Sequence, residues 1–168
     1  DGTSESSATT VTITVGEPSI AGVRLEVTAE DGTPITSIVE GESFVLNVYA
    51  ADLRDVPQGV FAAYLDLIYD TSLVSLNGTP AFSTEFANSR TSDTTSGGLI
   101  DELGAFVGST QSTGVSESLV VSIPFKSDVA GTAQFATDAA DVLPAHDFLL
   151  FGENNAIPQN RIAFESAL

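Results

Sequence analysis

Apolar side chains recur at every second position along most of this chain, and that period decides what kind of layer it can build. Val23, Leu25 and Val27 alternate with Arg24, Glu26 and Thr28; Phe44, Leu46 and Val48 alternate with Val45, Asn47 and Tyr49. Phe61, Ala63, Leu65, Leu67 and Tyr69 do the same, followed by the runs 118–125, 132–137, 148–151 and 161–164. Strict alternation sends one side of each strand to a core and the other to water or a second layer. Turn signals separate the runs: Asp31-Gly32-Thr33-Pro34, Asn77-Gly78, Gly97-Gly98, Ala130-Gly131 and Pro158-Gln159-Asn160. No stretch carries a helical stripe. Short strands with spaced turns predict an all-β fold, a two-sheet β-sandwich of about nine strands with jelly-roll connections. Phe44, Leu46, Val48, Phe61, Leu65, Leu67, Val121, Ile123, Phe125 and Phe164 are the expected core.

Two segments break the period. Residues 1–10 are rich in Ser and Thr, and Thr10–Val15 is a strand-like run stopped by Gly16-Glu17-Pro18-Ser19. This pattern fits a linker or the tail of a preceding β-module over residues 1–19, with the sandwich over 20–168; an edge strand of the same domain fits it too. The second break, Thr79–Gly98, is polar and lacks alternation. It is expected to be a long functional or mobile loop, anchored by Phe82, Phe86 and Ala87 on a short helical turn.

Charge and composition exclude several roles. Five Lys and Arg against 23 Asp and Glu give a net charge of −18, which repels phosphate backbones and anionic lipid. Nucleic acid and membrane insertion are therefore not expected. With no Cys there is no disulfide framework, thiol nucleophile or Cys-ligated metal. The surface is solubilised by 37 Ser and Thr, not by Lys, of which Lys126 is the single example. That composition is common in exported bacterial modules and points to an extracellular or cell-surface location. Lys126, at the end of a strand, is also the one side chain that could form a Lys–Asn cross-link.

Motifs for chemistry are scarce. Phosphate loops, HExxH and GxSxG are all missing. His146 is the only His, beside Asp147, and no Ser elbow accompanies it. No carboxylate pair lies in an aromatic, apolar setting of the kind that tunes a glycosidase, and Trp is absent. An enzyme is not expected. Acids do cluster at expected strand ends: Asp52 with Asp55, Asp101 with Glu102, and Asp138 with Asp141. Calcium takes hard oxygen ligands from such loops. Ca²⁺ is the expected cofactor, with Asp101 and Glu102 as first ligands, then Asp138 and Asp141, then Asp52 and Asp55.

The run from Gly59 to Val74 (GVFAAYLDLIYDTSLV) resembles the cohesin pattern, in which an alternating strand ends in a "YDP-x-x-L" corner; here Thr71 stands where Pro is common. Gly41–Val48 (GESFVLNV) resembles the preceding "G-x-x-F-x-V" strand. Ser118–Asp128 (SLVVSIPFKSD) followed by Gly131-Thr132-Ala133 resembles a late strand pair. Similar repeats occur in large surface proteins of planctomycete-like bacteria. The resemblance implies a nine-stranded sandwich acting, as a monomer, as a protein-interaction or spacer module with a dockerin-like partner. Carbohydrate-binding modules share the same sandwich class, so a polysaccharide ligand is the alternative. A partner would dock on one outward sheet face, for which Tyr49, Tyr64, Asp66 and Asn47 are the candidate residues.

Overall fold

A computed structural model describes residues 16–144 and 146–167; the expected strand at Thr10–Val15 lies outside them. The alternating runs form β1 (Ala21–Thr28), β2 (Ser43–Asp52), β3 (Val60–Tyr69), β4 (Val74–Leu76), β5 (Ala81–Phe82), β6 (Asn88–Asp93) and β7 (Leu99–Phe106). These are followed by β8 (Glu117–Ser127), β9 (Phe135–Ala139), β10 (Leu149–Leu150), β11 (Ile162–Phe164) and β12 (Ser166–Ala167). Nine of these strands have three or more residues, as the periodicity predicts; β5, β10 and β12 are two-residue pairings added to the sheets.

The first sheet runs β11-β1-β2-β8-β4, with β5 also on β8. The second runs β12-β9-β3-β7-β6, with β10 also on β3. The two face each other as a jelly-roll sandwich. Every pairing is antiparallel except β1 with β11, where Ala21 lies opposite Ile162 and Val23 opposite Phe164. The Gly16–Ser19 stop leads straight into this edge. Arg161 Nη1 lies 2.8 Å from Glu17 Oε2, its Nε donates to the Pro18 carbonyl, and the Ile20 N–H donates to the Arg161 carbonyl.

The core fills from the inward positions. Leu46, Val48, Leu65, Leu67, Val121, Ile123 and Phe125 are fully buried, and Phe44 nearly so. Phe61 and Phe164 are only partly buried and pack against the core from its margin. Phe125 is the hub of the aromatic cluster. Its ring stacks on Phe44 at 5.7 Å and meets Tyr69 and Phe135 edge-on, each at 5.1 Å. Such geometries add about 0.5–1.5 kcal/mol per pair beyond area burial. The corner after β3 closes without proline. Asp70 Oδ1 accepts from both the Ser72 N–H and the Ser72 hydroxyl, so a side chain does the work that a fixed φ does elsewhere.

The segment 79–98 is a structured crossing between the layers. It leaves β8 through β5, buries Phe86 completely, and returns as β6 on the edge of the second sheet. Arg90 ties the crossing down, donating to the Phe86 and Ser83 carbonyls. There is no helical turn. The alternation is missing because β6 is an exposed edge strand whose register shifts twice against β7, so neither of its faces has to be apolar. Lys126 is exposed on β8, with Ser43 and Ser75 opposite it on the neighbouring strands.

Gly104 allows the close approach of β7 to β3. A Cβ there would fall on the Ala63 carbonyl oxygen and the Tyr64 ring. Gly104→Ala is therefore expected to destabilise by about 1–3 kcal/mol through overpacking. Leu65→Ala is expected to lose about 2–5 kcal/mol by leaving a cavity. Urea unfolding of the two variants against the parent measures both; a Gly104→Ala protein as stable as the parent would contradict this packing.

Candidate functional site

The most unusual chemistry lies on the outer face of the second sheet, at a fault in the β3–β7 ladder. Leu65 lies opposite Leu103 and Leu67 opposite Ile100, so Asp101 and Glu102 together oppose the single residue Asp66. This is a β-bulge. It turns both Ile100 and Leu103 into the core, where each is fully buried, and pushes two acids towards a third. Glu102 takes a positive φ of 53°, a conformation that costs a non-glycine residue free energy and needs local support.

That support is a set of backbone N–H donors. The Glu102 N–H donates to Asp66 Oδ1 at 3.0 Å. Glu102 Oε1 accepts from the Asp141 N–H at 3.0 Å and the Val142 N–H at 2.6 Å. Its other oxygen, Oε2, is buried and has no hydrogen-bond partner among the described residues. Carboxylate oxygens of Asp66, Asp101 and Glu102 lie within 4.8 Å of one another. Asp138 sits opposite Asp66 on β9, on the same face, and is exposed. No ion pair among the described residues involves any of these five acids.

Burial is the largest influence on the Asp66 carboxyl. With the charges of Asp101, Glu102 and Asp141 it outweighs the Glu102 N–H and pushes the pKa up to about 6. A carboxyl that binds its proton more tightly when folded contributes stability fully present below its unfolded value of 3.8 and lost as pH rises through about 6. In chelator, the melting temperature is therefore expected to rise between pH 7 and pH 4. Asp66→Asn should flatten that part of the profile, which thermal unfolding at stepped pH will show; an unchanged profile would place the titration elsewhere.

The expected ligands thus divide. The structure brings Asp101 and Glu102 together with Asp141 and Asp138, and adds Asp66, which the sequence suggested only as a docking residue. Asp52 and Asp55 lie elsewhere. Asp52 is 2% exposed, and both its oxygens are already engaged. They accept from the Arg54 guanidinium at 2.9 and 2.6 Å and from the backbone N–H groups of Arg54, Gln58 and Gly59. Burial acts to raise the Asp52 pKa, but these donors prevail and hold it below the ordinary value. Asp52 is the clasp of the 53–59 loop, with Arg54 continuing to Glu153 and the Phe151 carbonyl. Asp55 is exposed and contributes no ion pair.

The expected docking surface also needs correction. Tyr49 and Asn47 lie on β2 in the first sheet, and Tyr64 and Asp66 lie on β3 in the second, because the chain changes layer between these strands. The four residues share no face, and the two tyrosines form no common platform. Tyr64 is 7% exposed; its ring covers Gly104, and its hydroxyl donates to the Ser89 carbonyl. Asn47 is buried between Thr28 and Ser122, accepting from the Ser122 hydroxyl and donating to Thr28 Oγ1. On the same sheet Arg24 lies over the Tyr49 ring and holds Glu117 with two hydrogen bonds, while the Tyr49 hydroxyl donates to Glu26. The polar groups around Arg24 and Asn47 on this face thus satisfy one another. Beside the acids of the second sheet's outer face stand the exposed apolar side chains Ile68, Val142 and Leu143, the last 76% exposed.

A cleft of about 440 Å³ opens at one end of the sandwich, lined by Ile35, Ile38, Phe44, Leu73 and Phe135. Glu40 is the only titratable residue on its wall, so nothing there pairs an acid with a base. His146 lies with Nδ1 2.9 Å from Asp147 Oδ1, and no serine hydroxyl hydrogen-bonds to it among the described residues.

The architecture is that of cohesin domains. The seventh type I cohesin of ScaB from Pseudobacteroides cellulosolvens superposes with a TM-score of 0.57 at 16% identity, covering 85% of this chain and 84% of that one. The sixth cohesin of Acetivibrio cellulolyticus scaffoldin B, solved in complex with a dockerin, gives 0.56 at 14% identity over 86% and 96%. The CaCohA2 domain of Clostridium acetobutylicum gives 0.54 at 15% over 88% of each chain. No protein-family model and no curated protein matches the chain.

Proposed function

We propose that this domain, over residues 20–168, is a non-catalytic protein-interaction module of an exported multidomain protein, with residues 1–19 as a linker or the tail of a preceding module. Its partner in this reading is a dockerin-type domain at the cell surface or beyond it. The observation that carries the reading is the cohesin fold itself, found at similar length in domains solved with dockerins bound.

The outer face of the second sheet is the docking surface in this reading. Ile68, Val142 and Leu143 offer apolar area beside the exposed carboxylates of Asp138 and Asp141. A complementary segment carries a Lys or Arg flanked by apolar side chains. Apolar anchors supply affinity, and opposite charges speed encounter and fix register. On the first sheet's outer face Arg24 is already paired with Glu26 and Glu117, so docking there gains less.

The test is calorimetric titration of the purified chain with dockerin domains from the same organism. Ile68→Asp is expected to weaken binding tenfold or more, about 1.4 kcal/mol, with the melting temperature nearly unchanged because Ile68 is half-exposed. Arg24→Ala, on the opposite sheet, is expected to leave affinity as it was. Failure to bind any of these dockerins overturns the partner; loss of binding in Arg24→Ala but not in Ile68→Asp overturns the face.

A further inference from the structure

We propose that the β7 bulge is a cation site, in which Asp66, Asp101 and Glu102 hold a calcium ion on the outer face of the second sheet. This concerns the isolated domain and does not depend on any partner.

Two independent observations carry it. The first is convergence: three carboxylates from two strands each place an oxygen within 4.8 Å of the others. Calcium binds oxygens at roughly 2.3–2.6 Å, so ligands arranged around one ion stand up to about 5 Å apart. The second is Glu102 Oε2, a carboxylate oxygen with no partner among the described residues, on a side chain that is 7% exposed. A buried charged acceptor left unpaired costs more than a neutral one, and native structures seldom tolerate it. The other oxygen of this carboxylate is already committed to the N–H groups of Asp141 and Val142. Asp66 follows the same pattern: Oδ1 takes the Glu102 N–H, and Oδ2 makes no hydrogen bond among the described residues. In both residues the backbone fixes one oxygen and leaves the other open.

Charge points the same way. None of the five acids of this patch makes an ion pair among the described residues, while Arg24, Arg54 and Arg161 each hold an acid elsewhere. A divalent ion offsets more of the charge of three converging carboxylates than a monovalent ion does. Calcium is favoured over magnesium because it accepts irregular oxygen sets, whereas magnesium demands near-ideal octahedral geometry and gives up its waters reluctantly. Water completes the shell. The strained φ of Glu102 is then the backbone cost of aiming its carboxylate at the ion.

The test uses the full 168-residue chain, stripped with chelator and titrated with CaCl₂, MgCl₂ or NaCl at constant ionic strength. The melting temperature is expected to climb steadily with CaCl₂, since a ligand of the native state adds RT ln(1 + [L]/Kd). Calorimetry is expected to give one ion per chain, with MgCl₂ weaker. Glu102→Gln keeps an oxygen for the two N–H donors and is expected to abolish the calcium response, as is Asp101→Asn, while Asp55→Asn keeps it. Should Glu102→Gln fail to fold, Asp101→Asn and the parent titration still decide. Equal shifts in CaCl₂ and matched NaCl would mean diffuse charge screening and overturn the site. So would a calcium response that survives intact in both ligand variants.

Discussion

One extra residue in β7 couples the core of this protein to its surface chemistry. Without the bulge at Asp101 and Glu102, strict alternation could not send both Ile100 and Leu103 inward. With it, the second sheet keeps its apolar layer beneath the first, and the displaced acids meet Asp66. The hydrogen bonds that hold the bulge are the ones that orient the carboxylates: Glu102 N–H on Asp66, and Asp141 and Val142 N–H on Glu102. Packing and electrostatics are therefore one construction here. A substitution at this point would be felt on both sides of the sheet.

The two outer faces show how the same strand pattern yields different surfaces. On the first sheet, Arg24, Glu26, Tyr49 and Glu117 satisfy one another, and Asn47 is closed between Thr28 and Ser122. On the second, acids accumulate without an ion pair among the described residues, and aliphatic side chains stand open beside them. Burying surface on the first face would break bonds already made, while on the second it would cover aliphatic side chains that stand open. That asymmetry, more than the fold likeness alone, separates a candidate docking face from a merely solvated one.

The core was legible in the sequence because burial imposes a period of two, and Leu46, Val48, Leu65, Leu67, Ile123 and Phe125 obey it. β6 was illegible for the converse reason: an edge strand exposed on both faces carries no periodic signature, so Asn88–Asp93 read as loop. The acid groups at 101–102 and 138–141 were visible as local clusters. Their meeting across β3 was not, since it depends on strand order and on a register fault that periodicity smooths over. Asp66 was seen only as an outward residue in its own strand. Tyr49 and Tyr64 were assigned to one face because consecutive strands often pair; here β2 and β3 belong to opposite sheets. Asp52 looked like any other surface acid, and only the return of Gln58 and Gly59 onto its oxygens shows it to be a loop clasp.

The parallel pairing of β1 with β11 also has a kinetic consequence. It joins Ala21 to Ile162, nearly the whole length of the sandwich apart in sequence, and Arg161 reaches back to Glu17 and Pro18 from the same edge. Closing so long a loop carries its entropy cost before the contact returns anything, and folds dominated by such pairings form slowly. Until the segment around Ile162 arrives, β1 has an unpaired edge from Ala21 to Val23. The domain therefore completes its first sheet only after synthesis has passed residue 164, and a nascent chain shorter than that carries an open, adhesive strand.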